Sequence, residues 1–361
     1  MKTSCETGEE LACFLRTAWR TAPDAPGGLA LEKPLASLLL DTGCGALGWW
    51  RVHDSPLVAL PDAHRLQQAF RLHALEAARR ERDLEIVLCA FNAAQLEPIL
   101  FKGWTLSRVY ALPALRPFGD FDILVEERDS RTADRVISNL TDNLRDQVDL
   151  DMRVLSRFLP DRTLSELVDR STIENIGKGR FRLLAPEDHL RLICLHQLDH
   201  GAWRPLWLCD IAAFLERITS NFNWDLCLTG NPNLSDSVIA LVSLAEELLS
   251  ADLLPATPNC IVPVWFRRAV LASWAGGYQA PPAPLHTIHR LGWRRALGAL
   301  RARWPDPISS TLHLRAPFRR VPRPLVQLAE LFRRAFTFIR RTSAARKHRN
   351  RHLPSLSTVR E

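Results

Sequence analysis

The chain has 361 residues, enough for two domains or for one large domain with extensions. Its 47% hydrophobic and 24% charged residues exclude a disordered chain, and no run of about 18 apolar residues offers a membrane span. The formal charge is +7, and much of the excess sits near the C-terminus, where Arg333 to Arg351 hold eight Arg or Lys and no acid; such a run reads as a solvated tail or as an electrostatic contact with nucleic acid, anionic lipid or an acidic partner.

The first 60 residues mix short helical patterns with breaks such as Ala25-Pro26-Gly27-Gly28. The opening MKTSCETGEE is polar and acidic, unlike a signal peptide, and the eight cysteines form no C-x-x-C pair. They are expected to be buried free thiols of a reducing compartment, which predicts a cytoplasmic protein. Leu66 to Ala94 has helical spacing. The period then changes: Pro98 to Phe101 is a short apolar strand ending at Lys102-Gly103, Trp104 to Tyr110 suits a helix, and Pro113 and Pro117 mark a loop. Phe118 to Val125 alternates as a strand, Arg128 to Leu144 returns to helical spacing, and Asp146 to Leu155 alternates again. This alternation predicts a small mixed sheet with helices against it. After Pro186 the patterns are helical, over Pro186–Leu198, Leu206–Ile218, Ser235–Leu249 and Val264–Ala275, until Pro281, Pro282 and Pro284 break them. Leu325 to Ile339 is amphipathic and is expected to pack on the core as a terminal helix rather than to lie on a membrane surface.

The chemistry concentrates between Phe101 and Val125. Asp120 and Asp122 are two apart on a predicted strand, so they share a face. Paired carboxylates repel and resist unpaired burial, and a divalent cation relieves both problems. Mg²⁺ favours such hard oxygen ligands together with substrate phosphates. Gly119 is expected to let the backbone turn closely before the pair. Asp149 and Asp151 lie two apart on the next predicted strand and offer a third acid. Three convergent acids with Mg²⁺ suit in-line attack on the α-phosphate of a nucleoside triphosphate. Lys102-Gly103, at a strand-to-helix junction, offers the phosphates a turn, a cation and backbone N–H groups, and Arg116 is expected to do similar work.

These residues resemble a known family. Lys102-Gly103 followed by Arg116-Pro117-Phe118-Gly119-Asp120-Phe121-Asp122-Ile123-Leu124-Val125, and later Val148-Asp149-Leu150-Asp151, is similar to the signature of an uncharacterised bacterial nucleotidyltransferase family of the DNA polymerase beta superfamily. The likeness runs over roughly residues 65 to 220 and includes Leu195-His196, His200 and Trp207 to Asp210-Ile211. It implies an α+β fold, a small mixed sheet with helices forming a polymerase beta-like nucleotidyltransferase core, followed by a mostly helical C-terminal domain. It also implies that Asp120 and Asp122 ligate Mg²⁺ or Mn²⁺, with Asp149 the third ligand, and that Lys102, Gly103, Arg116 and Gly119 face the nucleoside triphosphate. Two positions depart from the pattern. Trp104 stands where the superfamily often has a small residue and is expected to narrow the phosphate pocket, and Asp151 stands where the family often has histidine.

Other residues draw weaker readings. His196 and His200 share a helical face, as zinc ligands do, but lack the H-E-x-x-H glutamate. A bond between His200 and Asp210, or a place on the acceptor side of the cleft, is the better expectation. His189 is expected on the surface near a helix start, and Trp203, Arg204 and Trp207 between helices rather than stacked on a base. No P-loop and no G-x-S-x-G nucleophile motif is present. The expected organisation is a helical segment over 1–64, the nucleotidyltransferase core over 65–185, a helical domain over 186–310 and a basic amphipathic tail over 311–361. The expected activity moves a nucleoside monophosphate from a triphosphate to a small molecule, peptide or protein, with nucleic acid a less favoured acceptor. Two alternatives stand beside it: an inactive nucleotide-binding module, and a nucleic-acid-associated protein that uses the basic tail.

Overall fold

Residues 3–25, 30–277 and 303–351 are described by the structure, a computed structural model. The chain divides into two compact units, Met1–Gln279 and Ala280–Glu361. The breaks at Pro26 to Gly28 and at Pro281, Pro282 and Pro284 lie outside the described residues.

Helices α1 (Ser4–Leu15), α2 (Lys33–Asp41) and α3 (Gly45–Val52) open the first unit. Thr3 and Glu6 close a capping box on α1, satisfying backbone N–H groups that a bare helix end leaves unpaired. The 33-residue α4 (Pro61–Ala93) starts on proline, whose fixed φ suits the first helical position. Next come β1 (Ile99–Leu100), the short α5 (Gly103–Ser107), β2 (Phe121–Leu124), α6 (Ser130–Asn139), α7 (Asp142–Arg145) and β3 (Val148–Leu150). Two short helices, α8 (Val154–Phe158) and α9 (Leu164–Arg170), precede the hairpin β4 (Thr172–Ile176) and β5 (Gly179–Leu183). The unit closes with α10 (Pro186–Asp199), α11 (Pro205–Leu215), α12 (Trp224–Leu228), α13 (Pro232–Leu249) and α14 (Val264–Gly276).

The architecture is α+β, with one mixed sheet in the order β3-β2-β1-β5-β4. β1 runs antiparallel to β2 and parallel to β5, while β2 and β3 are parallel, with Asp122 opposite Asp149. Alternation sends Phe121 and Ile123 to one face and Asp122 to the other. The first face forms the core, where Leu84, Val87, Leu88 and Phe91 of α4 and Ala133 of α6 meet Phe121, Ile123 and Phe181. The second face carries the acids.

The sheet was only partly visible in the sequence. The hairpin β4–β5 had no expectation attached, yet β5 lies beside β1 at the heart of the sheet. Its two-residue turn, Gly177-Lys178 between β-rich runs, is a recognisable hairpin signal. α4 seats it: Glu85 Oε1 accepts the Lys178 N–H at 2.9 Å, and Asn92 both donates to the Arg180 carbonyl (2.8 Å) and accepts its N–H (2.7 Å). Gly177 has φ +54°, and a side chain there would clash with the Glu85 carboxylate. Three expected elements are also shorter. The strand expected over Phe118–Val125 begins at Phe121, the one over Asp146–Leu155 ends at Leu150, and the helix expected over Arg128–Leu144 breaks at Leu140. In the second case Asp151 Oδ1 accepts the Arg153 N–H at 3.1 Å and turns the chain into α8.

In the second unit, α15 (Pro307–His313) is capped by Asp306, which accepts the N–H groups of Ile308 (2.9 Å) and Ser309 (2.8 Å), and is followed by α16 (Arg323–Arg351). Arg323 donates to Thr311 Oγ1 at 2.8 Å. Glu330 of α16 is buried and takes Arg333 (2.6 Å), Arg334 (2.7 Å) and His313 (3.2 Å); those bonds overcome the cost of its burial and hold its carboxyl down to about 2. The expected burial of the Leu325 to Ile339 stripe is not observed. Leu325, Leu328, Phe332 and Phe336 are exposed, and Val326 and Glu330 form the buried side instead. Among the described residues no helix is long and apolar enough to cross a membrane.

Candidate active site

The loop between α5 and β2 brings the acids to the edge of the sheet. Asp120 stands one residue before β2, exposed; Asp122 lies within it, buried; Asp149 lies beside it on β3, exposed. One carboxylate oxygen from each falls within 4.8 Å of the others, and among the described residues these three make the one such group of His, Cys, Asp or Glu. Asp151 lines the same cavity but stands outside the trio.

Three negative charges sit close together, and Lys102 Nζ lies 2.6 Å from Asp122 Oδ1. Burial pushes Asp122 up to about 6; Lys102 opposes the rise, while Asp120 and Asp149 add to it. Burial also raises Asp149, reinforced by Asp151 and Asp120. An all-oxygen donor set with excess negative charge is what a hard divalent cation needs, so these residues fit Mg²⁺ or Mn²⁺.

Lys102 carries backbone strain, with φ +56° and ψ −146° at the start of α5. A non-glycine residue held there costs on the order of 1–3 kcal/mol. Gly103 follows with φ +34°, and an added Cβ would press on the Asp120 carbonyl at 3.1 Å. Three contacts hold the turn. The Lys102 N–H points at His189 Nε2 (3.4 Å), Thr105 Oγ1 donates to the Lys102 carbonyl (2.6 Å), and the Phe101 N–H donates to the Asp122 carbonyl (3.3 Å). His189 is therefore not the surface residue expected from its place near a helix start. It is 4% exposed, edge-on to Phe214 at 5.2 Å, because the first turn of α10 faces the Lys102-Gly103 turn.

Burial without an acid partner holds His189 down to about 4, against an ordinary 6.5. Between these values the unfolded chain binds the extra proton, so stability is whole above pH 6.5 and is lost as pH falls toward 4. That difference in proton affinity corresponds to about 3 kcal/mol. His196 is also pushed well below its ordinary value, by burial first and then by Lys102 and His200, and acts in the same direction. Urea unfolding at pH 7 and pH 4.5 should show this loss, reduced in His189→Gln. An identical pH dependence in both proteins would remove the assignment.

Arg116 lines the cavity of the acids, and it also makes a pair with Asp210 that the sequence did not announce. Arg116 donates through Nε (3.0 Å) and Nη2 (2.8 Å) to the two oxygens of Asp210, and the Tyr110 hydroxyl donates to Oδ1 at 2.8 Å. Burial alone would lower the Arg116 pKa, but the charge and bonds of Asp210 hold it above its ordinary value. Asp210 is thus engaged by Arg116 and Tyr110 rather than by His200. The pair ties the loop carrying Asp120 to α11. The other end of the loop is held by Arg80 of α4, whose Nη1 donates to the Gly119 carbonyl (2.5 Å) and to Gln147 Oε1 (3.1 Å), just ahead of β3. Gly119 does not need glycine for its turn: its φ is not left-handed and a Cβ would meet nothing within 4 Å. Trp104 packs edge-on against Phe181 at 5.6 Å and is not among the cavity's lining residues, so it does not narrow the phosphate pocket.

The acids open into a cavity of about 390 Å³. Its far wall is cationic and aromatic, with Arg153, Arg157, Arg204, His196, His200 and Trp207. The His196 and Trp207 rings are 5.2 Å apart, His200 and Trp207 5.4 Å, and the Arg204 guanidinium lies over Trp207 at 5.9 Å. Trp207 was expected between helices; it lines the cavity while also meeting Trp203 at 5.6 Å. Helical spacing signals His196 and His200, but Arg153 stands just before α8 and Arg157 within it, where the alternation over Asp146–Leu155 predicts a strand as far as Leu155. Arg157 is paired with buried Asp199. All eight cysteines are free; Cys44, Cys194, Cys209 and Cys227 are buried and the other four partly so.

Comparison with known families gives one match. The profile of a family described as uncharacterised nucleotidyltransferase covers residues 43–250, which include every residue of the cavity. No curated protein and no solved structure matches the chain.

Proposed function

Because the chain belongs to the uncharacterised nucleotidyltransferase family, we propose that it transfers a nucleoside monophosphate from a nucleoside triphosphate to an acceptor hydroxyl or similar group, with Mg²⁺ or Mn²⁺ held by Asp120, Asp122 and Asp149. One observation carries this reading: three carboxylates converge within 4.8 Å at the edge of a cavity that Lys102 and Gly103 also line. When bound, the divalent ion would neutralise the acids and polarise the phosphate oxygens.

The protein's own groups divide the remaining work. Lys102 supplies a fixed cation beside the acids, and the turn at Gly103 keeps side-chain bulk away from the phosphate chain. Arg116, engaged by Asp210, anchors the acid-bearing loop. In the transfer, an acceptor oxygen bonds to the α-phosphorus as the bond to the bridging oxygen breaks, and pyrophosphate leaves. Asp149, exposed in the cavity with its pKa raised, is suited to take the acceptor proton. The wall of Arg157, Arg204, His196, His200 and Trp207 faces the acceptor, for which a small molecule, peptide or protein is preferred over nucleic acid. Eight free thiols fit a reducing compartment and hence the cytoplasm.

Each of the four NTPs, labelled at the α-phosphate, should be incubated with the protein, Mg²⁺ and cell extract. A labelled product is expected with at least one, together with pyrophosphate release, and both should vanish with EDTA. Nucleotide binding without pyrophosphate release would instead mark a non-catalytic nucleotide-binding module.

A further inference from the structure

Helix α16 presents two different sides. At 3.6 residues per turn, Leu325, Leu328, Phe332 and Phe336 fall within an arc of about 80°. They are exposed, with Leu325 at 59%, Phe332 at 67% and Phe336 at 61%. Val326 and Glu330 lie on the other side and are buried, Glu330 with His313 of α15. The apolar stripe is therefore not the side that holds the second unit together. Leaving two phenylalanines and two leucines in water is unfavourable, because their apolar surface gains free energy on burial.

The charge around this stripe selects what covers it. From Arg323 to Arg351 the sequence carries nine Arg or Lys and one acid, Glu330. That acid is already engaged by Arg333, Arg334 and His313. The Arg340 guanidinium lies over the Phe336 ring at 5.7 Å, so a cation borders the apolar stripe. A nucleic acid would answer the positive charge but offers nothing to a Phe and Leu stripe. A neutral apolar partner would bury the stripe but not answer the charge. An anionic lipid surface satisfies both, with acyl chains for the stripe and headgroups for the basic rim.

We propose that α16 lies in the plane of an anionic membrane surface, with Leu325, Leu328, Phe332 and Phe336 inserted at the headgroup boundary and the arginine-rich segment on the lipid phosphates. The chain would then be a peripheral protein held at a negatively charged leaflet. This does not depend on the catalytic reading, because none of these residues lines the cavity.

Flotation of the full-length chain with vesicles tests the proposal. Phosphatidylglycerol/phosphatidylcholine vesicles should retain the protein and pure phosphatidylcholine vesicles should not, with retention falling as salt rises. The double variant Phe332→Asp/Phe336→Asp should lose at least about tenfold in partitioning, with its circular dichroism unchanged because both positions are exposed. Arg340→Gln/Arg341→Gln should weaken binding to anionic vesicles several-fold while leaving the stripe intact. Equal retention by neutral and anionic vesicles, or unchanged retention in the phenylalanine variant, would overturn the proposal. So would binding to duplex DNA with no retention on vesicles.

Discussion

Asp122→Asn is expected to reduce nucleotidyl transfer by on the order of 10³-fold, a loss of about 4 kcal/mol in transition-state stabilisation, while the fold survives. Asp122 is the buried member of the acidic trio and the one paired with Lys102, so the amide removes charge from the centre of the site at nearly constant volume. Stability should change little. Burial raises the Asp122 carboxyl to about 6, so at pH 7 the folded chain carries a charge that its surroundings resist. Removing it relieves repulsion with Asp120 and Asp149 but deprives Lys102 of its partner. The urea midpoint at pH 7 is therefore expected to stay within about 1 kcal/mol of the wild type. Loss of activity together with collapse of the fold would show a structural role. Full activity in a folded variant would end the catalytic assignment.

Asp210→Ala should have the larger effect on stability. The side chain is buried and receives three hydrogen bonds, two from Arg116 and one from Tyr110. Alanine would leave a guanidinium without its counter-charge and a phenol without its acceptor, in a place that water reaches poorly. Stranding one member of a buried ion pair costs about 3–5 kcal/mol. Asp210→Asn, which keeps acceptor geometry but loses the charge, should cost less. Denaturant unfolding with an unchanged slope checks the prediction, and a loss below about 1 kcal/mol for the alanine variant would contradict it. Since Arg116 begins the loop that delivers Asp120, transfer should weaken in both variants in step with this loss.

The sequence disclosed the site more readily than its supports. Asp120-x-Asp122 and Asp149 stood out because a two-residue spacing on an apolar strand is a local pattern, and local patterns are what a linear reading detects. Lys102-Gly103 stood out for the same reason, as a turn between a strand and a helix. The pairing of Arg116 with Asp210 spans 94 residues, and nothing in either neighbourhood announces it. Asp210 therefore reads as a partner for His200, and the anchoring bond of Arg116, a cavity-lining residue, is not foreseen. His189 was misjudged for a related reason: a histidine in the first turn of a helix is usually wet, and only the packing of α10 against the Lys102 turn makes it dry. The hairpin at Gly177-Lys178 is locally legible from its two-residue turn. The far wall of the cavity was legible only in part, since the chain alternates like a strand as far as Leu155, whereas Asp151 takes the Arg153 N–H in a turn just before α8.

The parallel pairing of β2 with β3 sets Asp122 opposite Asp149 across neighbouring strands, and the chain between them travels out through α6 and α7 before it returns. That detour carries none of the cavity-lining residues. Its helices are tied to the core through Ala133 and Leu144, so only the links between them are free to change length without moving the two ends. A single residue inserted inside β3, by contrast, would rotate its third acid to the greasy underside of the sheet. The protein thus tolerates editing in the links of the excursion and almost none in the few residues at its far end.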